Sequence, residues 1–568
     1  EIRLSLVGSE MCIRDSPVPP RDELSVTSSP VASETAPAAE TAAVLIRPMP
    51  LGGSALSQAL QRAETGREWL AARPETADGW RARAQAVRTS LQGRDWLAPL
   101  APAFAATGAA GERLSRAAAS GVVITTGQQP GLFGGPTYTW TKALGALALA
   151  DELESATGMP VAPVFWAASD DADWLEAAVT HFATARGLLS VSLPGPATEG
   201  VAMADVPLGE LHEARQALSA AAGSAAHQSV LAALDAAYVP HATIGAAYVQ
   251  LLRALLEPLG IAVLDAAHPA LRAAADPFLR LALKQAAPVQ EALQRRTHEI
   301  ESHGYRAQVD VVDGLSLVFR SRLEDHGGQM RPVRERVPLA HAAAVAREAE
   351  PGTLGANVLL RPVLERALLP TLTYLAGPGE YAYFAQVAPV AAALEAAVPV
   401  VTPRFACELV ERERLARQEA LGIDDAMLRD PHAAETHRAR AQLPEALADS
   451  MERLRLALET QVRGLQETLA GQGGPVADEV VQGLARDVTH RIDRFERRVL
   501  AGMKRVEQGA QLEVAALRAA LRPQGRSPER VLNLMPMLAR YGPALLAGIA
   551  DAARPYARSL VTGAPASS

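Results

Sequence analysis

Four carboxylates fall within seven residues at Asp170, Asp171, Asp173 and Glu176, directly behind Ser169 and the hydrophobic run VAPVFWAA at 161–168. Acids this close together can hold an ammonium group, bind Mg2+ with a nucleotide, or serve as a general base. Asp171 and Asp173 are therefore the candidate catalytic acids, and Asp170 a candidate binding residue. The same spacing also suits an ordinary helix start, with Asp170 or Asp171 as cap and the other acids favouring the helix dipole. This segment alone leaves both readings open.

A second candidate is TTGQQPGLFGGPTYTWTK at 125–142. Its glycines Gly127, Gly131, Gly134 and Gly135 lie between a β-branched run and a helical stretch, with Pro136 suited to the first helical position. Backbone N–H groups freed by glycine, beside a helix N-terminus, suit a phosphate or carboxylate. Lys142 would add positive charge, Tyr138 a further polar contact, and Gln128 and Gln129 amide donors and acceptors. No Gly-Lys-Ser/Thr follows, so this is not a Walker A loop. A tight turn without ligand is the plain alternative, but such a turn has no need of two adjacent glutamines; Gln129 is a candidate catalytic residue and Gln128 a binding one.

The third candidate is TYLAGPGEYAYFAQV at 373–387, where Gly377, Gly379 and Glu380 follow another apolar run. Upstream, Arg361 could clamp a carboxylate or phosphate, or simply form a surface ion pair. The histidines form no HExxH and no GxSxG occurs, which removes the zinc-protease and serine-hydrolase readings. Cys12 and Cys407 are far apart and suggest neither a disulfide framework nor a cysteine metal site, and no metal ligand is nominated.

These residues need a frame that brings three loops together. Short apolar runs at 121–126, 161–168, 261–266, 307–320 (AQVDVV and LSLVFR), 371–376 and 398–403 read as strands, several followed by helical stretches. That is the pattern of a parallel sheet with crossover helices. If the strands are neighbours, the loops at their carboxyl ends converge. Helical patterning precedes the sheet at about 55–119. Beyond Glu408 strand signals stop, and Val481, Leu484, Val488, Ile492, Phe495, Val499, Met503 and Val506 recur at steps of three and four, as do Leu454, Leu458, Val462, Leu465 and Leu469. Two long helices joined by a turn at GQGGP (471–475) follow from this. The expected fold is α/β: a Rossmann-like parallel-sheet core with inserted connecting segments and a C-terminal helical coiled-coil hairpin. The expected organisation is a disordered leader and linker at 1–43, of which 1–16 read as foreign to the rest, a core at 44–407, a coiled-coil segment with closing block at 408–552, and a flexible tail at 553–568.

A formal net charge of −8 with no basic stripe gives nucleic acid no electrostatic support as the main partner. No apolar run approaches the roughly 20 residues that span a bilayer, and the first residues lack a secretory pattern. Small-molecule partners and a cytoplasmic location are expected.

The blocks TGQQPGLFGGPTYTWTK, PVFWAASDDADWLEA, NVLLRPVLERALLPTLTYLAGPGEYAYFAQV and VPVVTPR resemble, in order and spacing, those of the bacillithiol biosynthesis cysteine-adding enzyme family. RVLNLMPMLARYG at 530–542 is similar to that family's closing block, and the likeness covers about Val44 to Ala552. The resemblance implies a Rossmann-type core, a coiled coil that pairs two subunits into a homodimer, a nucleotide near the helical segment, and a ligase that joins cysteine to glucosaminyl-malate. ATP is the expected activating nucleotide, with Mg2+ accompanying it. One position departs: where the family commonly reads Ser-Glu-Asp-His-Asp, this chain has Ser169-Asp170-Asp171-Ala172-Asp173. Without that imidazole, Asp171 or Asp173 is the nearest substitute for a proton shuttle. Two alternatives remain open at this point: a nucleotide-dependent ligase or transferase acting on another small substrate, and a non-catalytic coiled-coil adaptor that binds a metabolite.

Overall fold

A computed structural model describes residues 43–563 apart from 92, 196–199, 225–226, 326–329, 472–476 and 507. The expected leader at 1–43 and the GQGGP turn lie almost wholly outside the described residues. Two compact units result. One holds the described chain up to Phe182 with Ser190–Val410 and everything from Glu529 on; the other holds Ala183–Leu189 and Glu411–Pro528.

The first unit is built on a five-stranded sheet of β1 (Val122–Gln128), β2 (Val161–Ala167), β3 (Ala262–Asp265), β4 (Thr371–Ala376) and β5 (Val401–Pro403), in the order β5-β4-β1-β2-β3. Every pair is parallel, with Thr125 beside Val164 on one side and Tyr374 on the other. Parallel strands need crossover segments, and helices then cover both faces. Alternation along β2 shows this directly. Val161, Phe165 and Ala167 enter one core, while Ala162, Val164 and Trp166 enter another with Trp96, Phe104 and Leu114. Helix α1 (Thr137–Thr157) joins β1 to β2 and is apolar on nearly all sides because it is sandwiched between the sheet and a C-terminal helix, Ala544–Thr562.

Two long insertions complete the expected Rossmann-like plan. Residues 168–261 join β2 to β3 and include the short helix α2 (Trp174–Ala177); residues 266–370 join β3 to β4 and contain a three-stranded antiparallel sheet of Leu315–Asp325, Met330–Pro338 and Leu354–Ala356. The latter insertion ends in helix α3 (Arg361–Leu368), and helix α4 (Pro378–Ala393) follows β4. Of the two runs read as strands near 307–320, LSLVFR is one, but 307–312 is irregular: its Val309 N–H and C=O are held by the Gln386 side-chain amide instead of a neighbouring strand.

Chain ends depart from the sequence reading. The closing block packs in the first unit, where Leu534, Met535, Leu538, Leu545, Leu546 and Ile549 join the main core. Residues 553–562, expected as flexible tail, continue the last helix because Ala553, Ala557, Leu560 and Val561 fall on its buried face. Only 564–568 of that stretch lie outside the described residues.

In the second unit, Glu445–Gly471 and Asp478–Val506 are the two long helices. Arg455 bonds Asp493 at 2.8 Å and Glu496 at 2.5 Å, the register of a second helix running back along the first. The sequence seam splits: Val481 and Ile492 are buried with Leu500, but Leu484 and Phe495 are each 53% exposed. A pair of helices covers one stripe of each, and the apolar pattern here is wider than one stripe.

Candidate active site

The strand order reverses between β1 and β4, and in open parallel sheets the crevice at such a point, beyond the carboxyl ends of the strands, is where ligands bind. Both glycine turns lead out of these two strands. Lys142, one turn into α1, reaches across the crevice to Glu380 in the first turn of α4, with Nζ 2.6 Å from Oε2. The same ammonium donates to Gly127 O and Gln128 Oε1, each at 2.9 Å. Three N–H groups thus meet three acceptors, and Lys142 is not a free cation awaiting an anion.

Glu380 is equally engaged. It accepts from Tyr374 OH at 2.5 Å and from the Gly377 N–H at 2.6 Å, a capping box at the start of α4. Burial alone would push its carboxyl up, but Lys142 and these bonds outweigh that and hold it below the ordinary range. Arg361 completes this side by pairing with Glu365 at 2.9 Å and donating to Tyr374 OH and Tyr383 OH. Glu365 in turn accepts from Thr125 of β1. Arg361 is therefore neither a ligand clamp nor a surface ion pair but part of a largely buried brace.

On the other side of Lys142 the network continues toward the acids. Gln128 Nε2 donates to Tyr138 OH at 3.2 Å, Tyr138 OH donates to Glu176 Oε1 at 3.0 Å, and Gln129 Nε2 donates to Glu176 Oε2. One hydrogen-bonded chain thus links Thr125, Glu365, Arg361, Tyr374, Glu380, Lys142, Gln128, Tyr138 and Glu176. The three loops singled out in the sequence are brought together by it.

The glycine loop itself reads differently from the expected anion cradle. Phe133, Gly134 and Gly135 have φ of 53°, 84° and 73°, and a Cβ on Gly131 would lie 2.6 Å from Gly135 Cα. The glycines allow the loop to fold on itself. Three amides at its helix end are already used: Gly134 N bonds Gly131 O, Gly135 N bonds Leu132 O, and Thr137 N bonds Leu532 O. Pro136 is the cap residue and Thr137 the first helical one. Asn533 of the closing block locks the loop by donating to Leu132 O, Phe133 O and Thr180 Oγ1. The loop is buried from Gln129 to Gly135, so it does not fit a phosphate group.

Among the acids, Asp173, and not Asp170 or Asp171 as expected, caps α2 by accepting from Glu176 N at 3.1 Å, because the helix starts only at Trp174. The Asp170 carbonyl is held by Arg334, and the backbones of Ser169 and Asp171 accept from Ala204 and Met203 of the β2–β3 insertion. Ser169 also donates to Asp265 at the end of β3. Asp171 Oδ1 accepts from Ala172 N at 2.8 Å, while its Oδ2 is buried without a partner among the described residues. Burial raises the Asp171 carboxyl to about 6, against the pull of Arg334. Burial, then the charges of Asp173 and Asp171, raise Glu176 to about 7. Gln128, Tyr138, Asp170, Asp171, Asp173 and Glu176 are only half-buried, whereas Lys142, Gly377, Gly379 and Glu380 are buried. The acid side is the reachable face, and the ion-pair side is the frame behind it.

The chain matches the family model "Bacillithiol biosynthesis BshC, N-terminal Rossmann-like domain" over residues 67–405, and "Bacillithiol biosynthesis BshC, C-terminal coiled-coil domain" over 410–559. The chain belongs to the BshC family. Relatives in Solibacter usitatus (30% identical, covering 77% of this chain and 84% of the relative), Koribacter versatilis (31%, 78% and 83%) and Heliobacterium modesticaldum (28%, 85% and 90%) all carry the name "Putative cysteine ligase BshC".

Within this BshC-family fold the sequence reading missed Glu365, Tyr374, Arg334 and Asn533, and noted Glu176 without choosing it. Glu365 had a signal, its i,i+4 spacing from Arg361. Asn533 had none, since its partners are some 400 positions away. No group of three or more His, Cys, Asp or Glu suited to a metal ion occurs among the described residues. Cys407 is fully buried, and burial pushes its thiol far up, so it is no nucleophile.

Proposed function

We propose that this chain is a cysteine ligase of bacillithiol biosynthesis that joins the carboxyl of cysteine to the amine of glucosaminyl-malate. The observation that carries this reading is the reachable face of the site: two carboxylates, Asp171 and Glu176, lie at the carboxyl ends of β1 and β2 with one oxygen of Asp171 still without a partner. An ammonium group is the natural occupant, since it can supply the missing donor and offset the like charges. The family description supports the pathway and the names of its members support cysteine as one substrate; glucosaminyl-malate as the amine is part of the proposal.

ATP is the proposed source of activation for the cysteine carboxyl. The glycine loop is not the proposed phosphate site, since it is buried from Gln129 to Gly135 and its Gly134, Gly135 and Thr137 amides are bonded within the protein, and Mg2+ would enter on the nucleotide and not on a carboxylate cluster. Two copies of the chain are proposed to associate through the second unit, where Leu454, Leu465, Leu484 and Phe495 leave apolar surface outward. No helix among the described residues is long and apolar enough to cross a membrane, in keeping with the proposed cytoplasmic setting.

The test is a mass-resolved assay of the full chain with glucosaminyl-malate, cysteine, ATP and Mg2+. Cysteinyl product that requires both protein and ATP, with ADP or AMP marking the activated form, supports the ligase. Absence of product together with absence of glucosaminyl-malate binding in calorimetry overturns it in favour of another substrate.

A further inference from the structure

Amide formation from an ammonium substrate needs a group to take its proton, and the histidine expected at position 172 is alanine. No imidazole stands in for it in the network described above. Asp173 has an oxygen committed to the α2 cap. Glu176 is different in kind. Its carboxylate is clamped from two elements, by Gln129 from the β1 loop and by Tyr138 from α1, so its orientation is set before any ligand arrives.

The surroundings of Glu176 also contain polar groups that lack partners. Asp171 Oδ2 is one. The Tyr248 hydroxyl, on the helix Ile244–Leu256, is fully buried; burial, then the charges of Tyr238 and Glu176, push its ionisation up, and neither it nor the buried Thr139 hydroxyl has a hydrogen-bond partner among the described residues. Buried polar atoms without partners are rare, and each calls for an unseen group to satisfy it. Of these, Asp171 is close enough for its charge to act on the Glu176 carboxyl, and it stands on the half-buried side of the site.

We propose that Glu176 is the catalytic base that takes a proton from the attacking amine, with Asp171 Oδ2 accepting a second N–H of the same nitrogen. This rests on the ligase reading above. The ammonium gives one proton to the Glu176 carboxylate, and the freed nitrogen lone pair forms the new C–N bond to an activated acyl carbon. The C–O bond to the activating group breaks and its electron pair departs with the oxygen; of the two N–H protons left on the nitrogen one passes to water and the other stays in the amide, and Glu176 returns its proton to water. Tyr138 and Gln129 are positioning residues.

The groups facing Glu176 are Asp173 and Asp171, which raise its carboxyl, and Tyr138 and Lys142, which lower it, with the Tyr248 hydroxyl beside them. A base raised to about 7 is available only above that pH, so kcat rises with pH through that region. In the full chain with glucosaminyl-malate, cysteine, ATP and Mg2+, Glu176→Gln is expected to lower kcat about 100-fold or more, to leave KM within a few-fold, and to abolish the rising limb; Glu176→Asp restores part of both. Tyr138→Phe removes a bond that favours the charged carboxylate, so it moves the limb to higher pH.

Wild-type calorimetry of glucosaminyl-malate in two buffers of different ionisation enthalpy should show proton exchange near pH 7 that Glu176→Gln lacks. A variant Glu176→Gln that keeps kcat within a few-fold and keeps the limb sinks the proposal while the ligase stands. So does an unmoved limb in Tyr138→Phe, which decides the matter should Glu176→Gln fold poorly. If wild type makes no product, equal proton exchange in wild type and Glu176→Gln overturns the role. No binding at all by wild type removes the ligase reading and this role with it.

Discussion

Lys142 Nζ lies 2.6 Å from Glu380 Oε2 across the point where the order of the parallel strands reverses. Each is the product of its own glycine turn, one after β1 and one after β4, and their pairing closes the crevice from below. The charges that sequence reasoning assigned to a ligand are therefore used to hold the two turns together. What remains for a substrate is the acid side, reached through Gln128 and Tyr138.

Removing one partner of this pair leaves a buried charge unpaired. Lys142→Met is expected to cost about 3–5 kcal/mol, seen as a clear drop in the calorimetric transition of the core. The double variant Lys142→Met with Glu380→Gln should lose less than either change summed, since no uncompensated charge is left. Equal transitions for Lys142→Met and wild type would show that the pair does not brace the turns.

Much of the fold was legible because the five core strands are short β-branched or apolar runs bounded by glycine or proline, and burial on both faces removes the ambiguity of alternation. Val122 to Gln128 is such a case. What was not legible arises from distance in the chain. Asn533 closes a loop that reads, by its own sequence, as an anion cradle; nothing near Gly131–Gly135 announces that the Leu132 and Phe133 carbonyls and the Gly134 and Gly135 amides are already engaged. The same holds for Arg361, whose clamp-like position is taken up by Tyr374 and Tyr383 only once β4 and α4 fold beside it. In the acid segment a helix start was legible, but its cap is Asp173 and not Asp170 or Asp171, because the position of the cap depends on where α2 begins at Trp174.

Asn533→Ala tests the lock on the glycine loop. It removes donors from Leu132 O, Phe133 O and Thr180 Oγ1, and the left-handed stretch at Phe133 loses its hold. The expected cost is about 1–3 kcal/mol, with faster amide hydrogen exchange at 131–135 and little change in the second unit. Unchanged exchange there would mean that the loop holds its shape by itself.

The raised carboxyls make a signed prediction for stability. Glu176 titrates at about 7 when folded, against an ordinary value of 4.5, so the folded protein binds more protons between these values and stability falls as pH rises through that window. Asp171, at about 6, acts in the same direction over a narrower range. Glu176→Gln carries no such penalty: near pH 4 it should match wild type, and at pH 8 it should be more stable by up to about 3 kcal/mol. A melting-temperature difference that grows from pH 5 to pH 8 is the readout. A difference that shrinks would place the carboxylate in a stabilised setting and reverse the electrostatic account of the site. Gain in stability with loss of turnover is the pattern of a residue kept for chemistry.

The thiol of Cys407 faces Arg404 and Glu529, a buried pair at 2.7 Å, with no path to solvent. Alkylation of the folded full chain with iodoacetamide, followed by peptide mapping, should leave the Cys407 peptide unmodified until denaturant is added, because only the thiolate reacts and burial disfavours it. Cys407→Ala should keep turnover. Rapid labelling at neutral pH in the native protein would show an accessible thiolate and reopen it as a nucleophile.

Leu484 and Phe495 stand on the outward stripe of the helix Asp478–Val506, where a two-helix pair leaves them uncovered. If that stripe is where a second copy binds, Leu484→Glu with Phe495→Glu should halve the mass found by light scattering while altering the stability of the single chain by only about 0.5 kcal/mol, the usual scale for exposed positions. Charges placed there desolvate at any apolar interface and gain no partner in a symmetric one, since each copy brings the same sign. A variant that keeps the mass of two chains would move the pairing surface elsewhere, and a wild-type protein with the mass of one chain would remove the homodimer itself.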